Sequence, residues 1–313
     1  MKKFIAAAAM LAITSVHAEE LKFGDLNFFI PAGNFNLSAD VDFRSDEGTV
    51  GAVTSETEGW YLGSLLTYGI SNRFNIFGGL NYQFDVEVAN ETAPTNKPYN
   101  QDGLANPVIG GIGRLYNQND NSMNVDFGFI GRANIEDQEL GTWSGSDPVD
   151  GNAADGRSSM EFFARAGKKW NEANEWQLTA GIIQNMEGDV EQKAPASGAS
   201  TESDVNSSID TYLRAAYQYR PVNEFMIALT AQATQVGEAS AEEKITGTET
   251  TLDSHLDMDF RFQAKYLVTS NFITRFTLSQ SRNSDFKGDV AGTNFDIEKR
   301  RTAIMGLGVD WLF

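Results

Sequence analysis

Large apolar residues alternate with polar residues along most of this chain. In residues 74–88 the even positions are almost all apolar, from Phe74 to Val88, and the odd positions are mostly polar, from Asn75 to Glu87. Side chains of a β-strand point alternately to its two faces, so a period of two predicts a strand with one apolar face. The same test predicts twelve strands, at residues 35–43, 60–70, 74–88, 107–116, 123–135, 160–170, 176–186, 209–219, 225–233, 252–268, 272–280 and 303–313.

Short and long connections alternate between these strands. Five joins are short, as at residues 71–73 and 269–271, and six run from sixteen to twenty-four residues rich in Gly, Ser, Asn, Asp and Glu. An antiparallel up-and-down meander gives this order, with tight turns at one rim and long loops at the other.

Two all-β architectures fit the alternation. A soluble sandwich buries its apolar faces against each other, whereas a transmembrane β-barrel turns its apolar face to lipid. Alternating positions of a strand fall into two sets, which we call the apolar parity and the polar parity. Only Lys168 carries a charge on the apolar parity, while eleven acids and eight bases lie on the polar parity. Because lipid and a sandwich core both exclude charge, this count does not distinguish the barrel from the sandwich.

The aromatic residues favour the barrel. Most rings on the apolar parity lie within about three residues of the short-turn rim, as a bilayer interface selects, whereas the rings of a sandwich core more often lie in mid-strand. We therefore predict an all-β, antiparallel up-and-down transmembrane β-barrel of about twelve strands. Its aromatic girdle at the short-turn rim consists of Tyr68, Phe74, Trp170, Trp176, Tyr217, Phe225, Tyr266, Phe272, Trp311 and Phe313.

The chain begins like an exported protein. Lys2 and Lys3 precede an apolar run that ends in a small-residue pattern at Ala18, which predicts a signal peptide, residues 1–18, cleaved after Ala18. The run is too short for a membrane-spanning helix. Residues 19–34 form a separate N-terminal segment before the barrel of residues 35–313. Its sequence LKFGDLNFFIPAG is too apolar for a free tail, so we expect it to plug the lumen or dock on the periplasmic side.

Composition excludes several classes of function. The net charge of -19 would repel nucleic acid, so we expect no nucleic-acid partner. The chain has no cysteine, which excludes disulfides and thiolate metal sites, and we expect no metal and no cofactor. No apolar run after residue 18 is long enough for a transmembrane helix.

The last strand carries the most specific motif. Residues 305–313 read MGLGVDWLF and end on an aromatic residue. Together with the signal peptide and twelve strands, this pattern resembles Gram-negative outer-membrane β-barrel proteins. The resemblance implies outer-membrane lipid and lipopolysaccharide as surroundings. It also implies a terminal signal for the barrel-insertion machinery, formed by Leu307, Val309, Trp311 and Phe313.

A second resemblance concerns a short strand opening. Residues 106–110, NPVIG, are similar to a motif of the phenol-degradation meta-pathway outer-membrane family, with Asn106 where that motif has Asp. No functional residue is carried over from it.

Strand number and inward charges indicate the function. Eight strands leave a filled barrel and sixteen leave an aqueous channel, so twelve predict a narrow, charged channel for passive passage of small solutes. A non-conducting structural or adhesive barrel is the alternative, because buried charges also neutralise one another and fill space. The charges expected to line the lumen are Arg114, Asp126, Arg132, Glu161, Arg165, Asp210, Arg214, Asp257, Asp259, Arg261, Lys265 and Arg275.

An enzyme is the weaker alternative. Asp253 and His255 have the Asp-x-His spacing of the omptin surface proteases, and Asp40 and Asp42 have the spacing of a water-activating Asp pair. Omptin-like barrels have ten strands rather than twelve, so we expect no catalytic residue and read His255 as a rim histidine.

Overall fold

A computed structural model describes residues 21–92, 96–117, 123–143, 148–193 and 200–313. The predicted signal peptide, and most of the predicted turn at residues 117–122, lie outside these residues. No helix that could cross a membrane is present in the described ranges. Their strands are β1 (Phe35–Val50), β2 (Val53–Ser71), β3 (Phe74–Asn90), β4 (Tyr99–Leu104), β5 (Val108–Tyr116), β6 (Asn124–Arg132), β7 (Gln138–Leu140), β8 (Gly151–Asn152), β9 (Arg157–Asn171), β10 (Asn174–Gln192), β11 (Thr201–Val205), β12 (Ser208–Val222), β13 (Phe225–Val236), β14 (Ala239–Glu243), β15 (Glu249–Leu252), β16 (His255–Thr269), β17 (Phe272–Asn283), β18 (Phe286–Val290) and β19 (Thr293–Leu312).

Twelve of these strands form a closed antiparallel ring. The order is β1-β2-β3-β5-β6-β9-β10-β12-β13-β16-β17-β19, and β19 pairs back onto β1 from Asn36 opposite Leu312 to Val50 opposite Ile297. All twelve strands predicted from the period of two are confirmed as members of this ring. Closure leaves no strand edge, which a membrane requires because lipid offers no hydrogen-bonding partner.

The outer surface of the ring is apolar and the inner surface is polar. Mid-strand apolar residues are exposed, such as Leu307 at 67% and Phe260 at 60%, whereas Asp126 on the other parity is 1% exposed. A sandwich would bury the apolar parity, so the barrel interpretation is confirmed. Lys168, the charge on the apolar parity, is itself buried at 2% exposure.

The long connections contain far more strand than the sequence predicted. β1 and β2 continue beyond their predicted bounds and turn only at Gly51, and β19 begins at Thr293 instead of residue 303. The short strands β11, β14, β15 and β18 extend the wall between β10 and β19. The prediction of loops was wrong here because most of these strands are polar on both faces. Where the alternation exists, in β18 and at the start of β19, it extends over only about five residues.

A β-bulge at Asp85 reverses the side-chain parity near the end of β3. Asp85 has a φ of 52°, in the left-handed region. Beyond it, Val86 and Val88 are buried at 1% and 5% exposure, and Glu87 lines an outer groove beside Trp60. The predicted assignment of Val86 and Val88 to the lipid face, and of Glu87 to the inner face, was therefore wrong.

The orientation of the two faces predicts a stability difference. Phe260→Arg places a charge on the lipid-facing surface and should lower the free energy of unfolding by about 2–4 kcal/mol. The control Gln263→Arg puts the same side chain on the same strand beside Asp40 and Asp42 in an inner cavity, so it should cost much less. Denaturant unfolding in phospholipid vesicles, followed by tryptophan fluorescence, measures both. Equal losses would contradict the assignment of the faces.

Candidate functional site

Asp126 joins two arginines inside the barrel. The register of β5, β6 and β9 places Arg114 opposite Asp126, and Asp126 opposite Arg165. The Asp126 carboxylate accepts a hydrogen bond from Nε of each arginine, both at 2.7 Å. Three charges predicted to face the lumen thus form one buried cluster, in which each charge is paired and hydrogen-bonded as burial requires.

Glu161 holds a second interior cluster together. One carboxylate oxygen accepts a hydrogen bond from Nη2 of Arg132 at 3.0 Å, and the other accepts one from the Tyr212 hydroxyl at 2.6 Å. Tyr212 was not among the predicted charged positions, although it lies on the polar parity of β12. The contact spans β10, so it fixes the positions of β9 and β12 relative to each other.

Arg275 pairs with two carboxylates from neighbouring strands. Its Nη2 donates to Asp40 at 2.5 Å and its Nη1 donates to Asp310 at 2.7 Å. An inner cavity of about 240 Å³ lies beside this cluster, and Asp42 and Arg261 line it.

The other predicted interior charges have fewer ionic partners. Asp259 is half-buried and Arg261 is exposed. Whether these residues line a conducting path stays a prediction. The contacts of the remaining four are Asp210 with Asn185 and Gly237, Arg214 with Gln232, Asp257 with His255, and Lys265 with Gln218.

The N-terminal segment, residues 21–34, lies across the short-turn end of the ring. Its Asp25 accepts hydrogen bonds from Nζ of Lys169 at 2.8 Å and from Nη2 of Arg220 at 2.7 Å, and all three residues are buried. Lys169 belongs to β9 and Arg220 to β12, so one carboxylate ties the segment to two separate strands.

Glu175 supplies the second anchor of the segment. Its carboxylate accepts hydrogen bonds from the backbone N–H of Leu26 at 2.6 Å, from that of Asn27 at 2.8 Å, and from Nδ2 of Asn27 at 2.7 Å. Asn27 is 0% exposed. Its carbonyl oxygen accepts a hydrogen bond from Nη2 of Arg114 at 2.8 Å, which links the segment to the Asp126 cluster.

The segment also contacts wall residues on β12, β16 and β17. Gly24 has a φ of +94°, and a Cβ there would lie 2.7 Å from Cδ1 of Ile273 on β17. Its carbonyl oxygen accepts a hydrogen bond from Gln218 at 3.1 Å and lies 3.5 Å from Nζ of Lys265. Only glycine combines this backbone conformation with so close an approach.

The sequence did not identify the anchors of the segment as a group. Glu175 and Arg220 lie at predicted short turns, where polar residues are ordinary, and Lys169 was read as one inward base among many. The available signal was in the segment itself, because Asp25 and Asn27 stand within an otherwise apolar stretch and need buried partners.

The predicted girdle residues lie at the short-turn rim, and none of the ten is buried. At the closure, the ring of Phe313 stacks on that of Phe35 with centroids 5.7 Å apart and lies 5.3 Å from that of Trp311. Leu307, Val309 and Trp311 lie on β19 between β1 and β17. The contribution of these residues to lipid binding and insertion stays a prediction.

His255 does not meet the predicted Asp pair. Its ring stacks on Phe286 with centroids 3.8 Å apart, and its Nε2 lies 3.4 Å from Asp257. Asp40 is engaged by Arg275, and no ion pair joins His255 to Asp40 or Asp42 in the described part of the chain. The omptin-like arrangement is therefore not assembled.

Solved structures share this architecture. The COG4313 outer membrane channel from Pseudomonas putida F1 matches with a TM-score of 0.56 and 13% identity, over 94% of this chain and 100% of that chain. A KdgM porin in complex with disordered oligogalacturonate matches with a TM-score of 0.43 and 9% identity, over 87% and 98% of the two chains. The outer membrane protease OmpT from Escherichia coli gives 0.41 and 8%, over 92% and 99%.

No family model and no curated protein sequence matches the chain. At the identities given above, structural similarity establishes the fold alone. The chain has the fold of the Gram-negative outer-membrane β-barrel proteins.

The Asp126 cluster predicts a large stability loss on neutralisation. Asp126→Asn leaves two buried guanidinium groups without their carboxylate and should lower the free energy of unfolding by about 3–5 kcal/mol. The control is Asp189→Asn, which removes an exposed partner of Lys244 and should leave the denaturant midpoint unchanged. The hydrogen bond from Lys244 lowers the pKa of the Asp189 carboxyl, so the control variant removes a charged carboxylate. A small effect at Asp126 would contradict the buried pairing.

Proposed function

We propose that the protein is an outer-membrane channel for passive passage of small solutes through a narrow, charged lumen. The observation that carries this proposal is the N-terminal segment. It crosses the short-turn end through side-chain and backbone contacts with the inner wall, and it is not a strand of the ring. A segment held in this way can be displaced while the ring of strands stays intact.

The orientation follows from the resemblance to outer-membrane barrels. The short-turn rim, with both ends of the barrel, faces the periplasm, and the long connections face outward. In this proposal the signal peptide is cleaved after Ala18, the terminal strand is read by the barrel-insertion machinery, and the long connections meet lipopolysaccharide.

A non-conducting structural or adhesive barrel is the second candidate. The same segment favours it, because Asp25 and Asn27 are buried and fully engaged. The two candidates differ in one property: whether ions cross the barrel when the segment is removed or loosened.

Conductance across planar bilayers tests the role of the segment. Deletion of residues 21–32 should raise the single-channel conductance severalfold, because it empties the short-turn end of the barrel. Unchanged conductance in a correctly folded deletion variant would favour the non-conducting barrel.

A reversible crosslink provides a sharper version of this test. A Cβ placed on Gly167 would lie 2.7 Å from Cγ of Asn27, close enough for a disulfide between Asn27→Cys and Gly167→Cys. The chain has no other cysteine. The oxidised double variant should conduct poorly and the reduced one better, since the substitution also removes the Asn27 side-chain bonds to Glu175. Single-cysteine variants control for effects of the reductant itself. A conductance independent of redox state would contradict a movable N-terminal segment.

The proposal excludes surface hydrolysis. Because His255 contacts Phe286 and Asp257 instead of a water-activating Asp pair, neither the wild type nor His255→Ala should hydrolyse peptides or phospholipids. Activity in the wild type that is lost in His255→Ala would establish the hydrolase instead.

A further inference from the structure

A cavity with both polar and apolar lining opens at the long-connection end of the barrel. It has a volume of about 430 Å³ and lies among the ends of β6, β9, β10 and β12. We call it the mouth cavity. Its size falls within the range of small-molecule sites, and it lies at the opposite end of the barrel from the N-terminal segment.

Arg157 lines the mouth cavity, and its side chain forms no hydrogen bond or ion pair within the described residues. Its Nη1 is buried and has no hydrogen-bond partner in the described residues. Its backbone is fixed, because Asn106 donates to its carbonyl oxygen at 2.8 Å and β9 pairs it with Gly188. A guanidinium that lines a cavity without a paired carboxylate can pair with one from a ligand, and such charge-assisted hydrogen bonds are the stronger ones.

Arg132 lines the same cavity and is only partly engaged. Its Nη2 donates to Glu161 at 3.0 Å, and its side chain remains 34% exposed. Tyr212 holds the other oxygen of Glu161, so the carboxylate, and with it the guanidinium, is fixed in place. A guanidinium has five N–H donors, which leaves several for a ligand.

Neither described carboxylate of the mouth cavity forms an ion pair with Arg157, although Asp155 lies near enough to both arginines to attract them. Both oxygens of Asp210 are occupied, one by Nδ2 of Asn185 at 3.0 Å and the other by the N–H of Gly237 at 2.9 Å. Asp155 is exposed at the open side. Across the described ranges, no ion pair joins either acid to Arg157.

Aliphatic side chains complete the lining of the cavity. Ile183, Val190 and Val205 lie on its wall together with the two arginines. We propose that the mouth cavity binds small monocarboxylates, with the carboxylate between Arg132 and Arg157 and a short aliphatic body against these three residues. Asp155 and the net charge of -19 repel ions that carry several negative charges. This inference rests on the proposed function, in which the cavity selects the solute where it enters the channel.

Calorimetry with the refolded full mature chain in detergent tests the proposal. Hexanoate should bind at least about tenfold more tightly than its neutral isostere hexanamide, because hydrogen bonds to a charged group are the stronger ones. Arg157→Gln should weaken hexanoate binding by about tenfold and leave hexanamide unaffected. The matched control is Arg282→Gln, an exposed arginine at the same end of the barrel on β17, which should bind hexanoate like the wild type.

A second variant keeps both arginines. Ile183→Trp fills the cavity and should abolish hexanoate binding, so the proposal remains testable if Arg157→Gln does not fold. The absence of hexanoate binding in the wild type would overturn the proposal, as would equal affinity for hexanamide. An equal loss in Arg282→Gln would also overturn it, because the attraction would then be general surface charge.

These outcomes are separate from those of the channel test. Redox-dependent conductance without hexanoate binding would leave the channel intact and remove the site. Hexanoate binding by a barrel that never conducts would keep the site and remove the channel.

Discussion

The structure depends on the need to satisfy every backbone polar group of a sheet that faces hydrocarbon. Lipid provides no donor or acceptor, so each ring strand must pair on both sides, and the last strand must return to the first. Here β19 pairs with β1 through nearly its whole length. The closure ends with reciprocal hydrogen bonds, in which Phe35 N–H donates to the Phe313 carbonyl oxygen at 2.7 Å and Phe313 N–H donates back at 2.9 Å.

Closure also determines the chemistry of the interior. Once lipid takes the apolar parity, every polar side chain on the other parity lies in a confined space and must find a partner there. The partners come from neighbouring strands or from one strand further round the ring, as with Asp126 between two arginines and with Tyr212 reaching Glu161. Single buried atoms of several side chains depart from this rule, and Nη1 of Arg157 beside the mouth cavity is one of them.

The ring could be predicted from the sequence because lipid imposes a period of two on each spanning strand. The strand extensions at the long-connection end could not be predicted fully, since water accepts both faces and many of their residues are polar on both, as in the second half of β1, Arg44 to Thr49. The parity change at Asp85 depends on the conformation of one residue, which composition does not reveal. The site was predictable only in part. Inward charges such as Arg114 and Asp126 were identified by parity, but their partners depend on register. The anchors of the N-terminal segment lie almost 150 residues or more away in the chain.

The position of the N-terminal segment follows from the even number of strands. Twelve strands return the chain to the rim from which it started, so the residues before Phe35 must begin at the short-turn end, beside Phe313. From there a short segment reaches the opposite wall, where Lys169 and Arg220 bind Asp25. These two partners lie on different strands, and Arg114, which binds Asn27, lies on a third. All of these partners lie on the consecutive ring strands from β5 to β12, so the binding site of the segment requires that these strands have paired with one another. The segment is not itself one of the ring strands, so in the proposed channel it can leave without opening the wall.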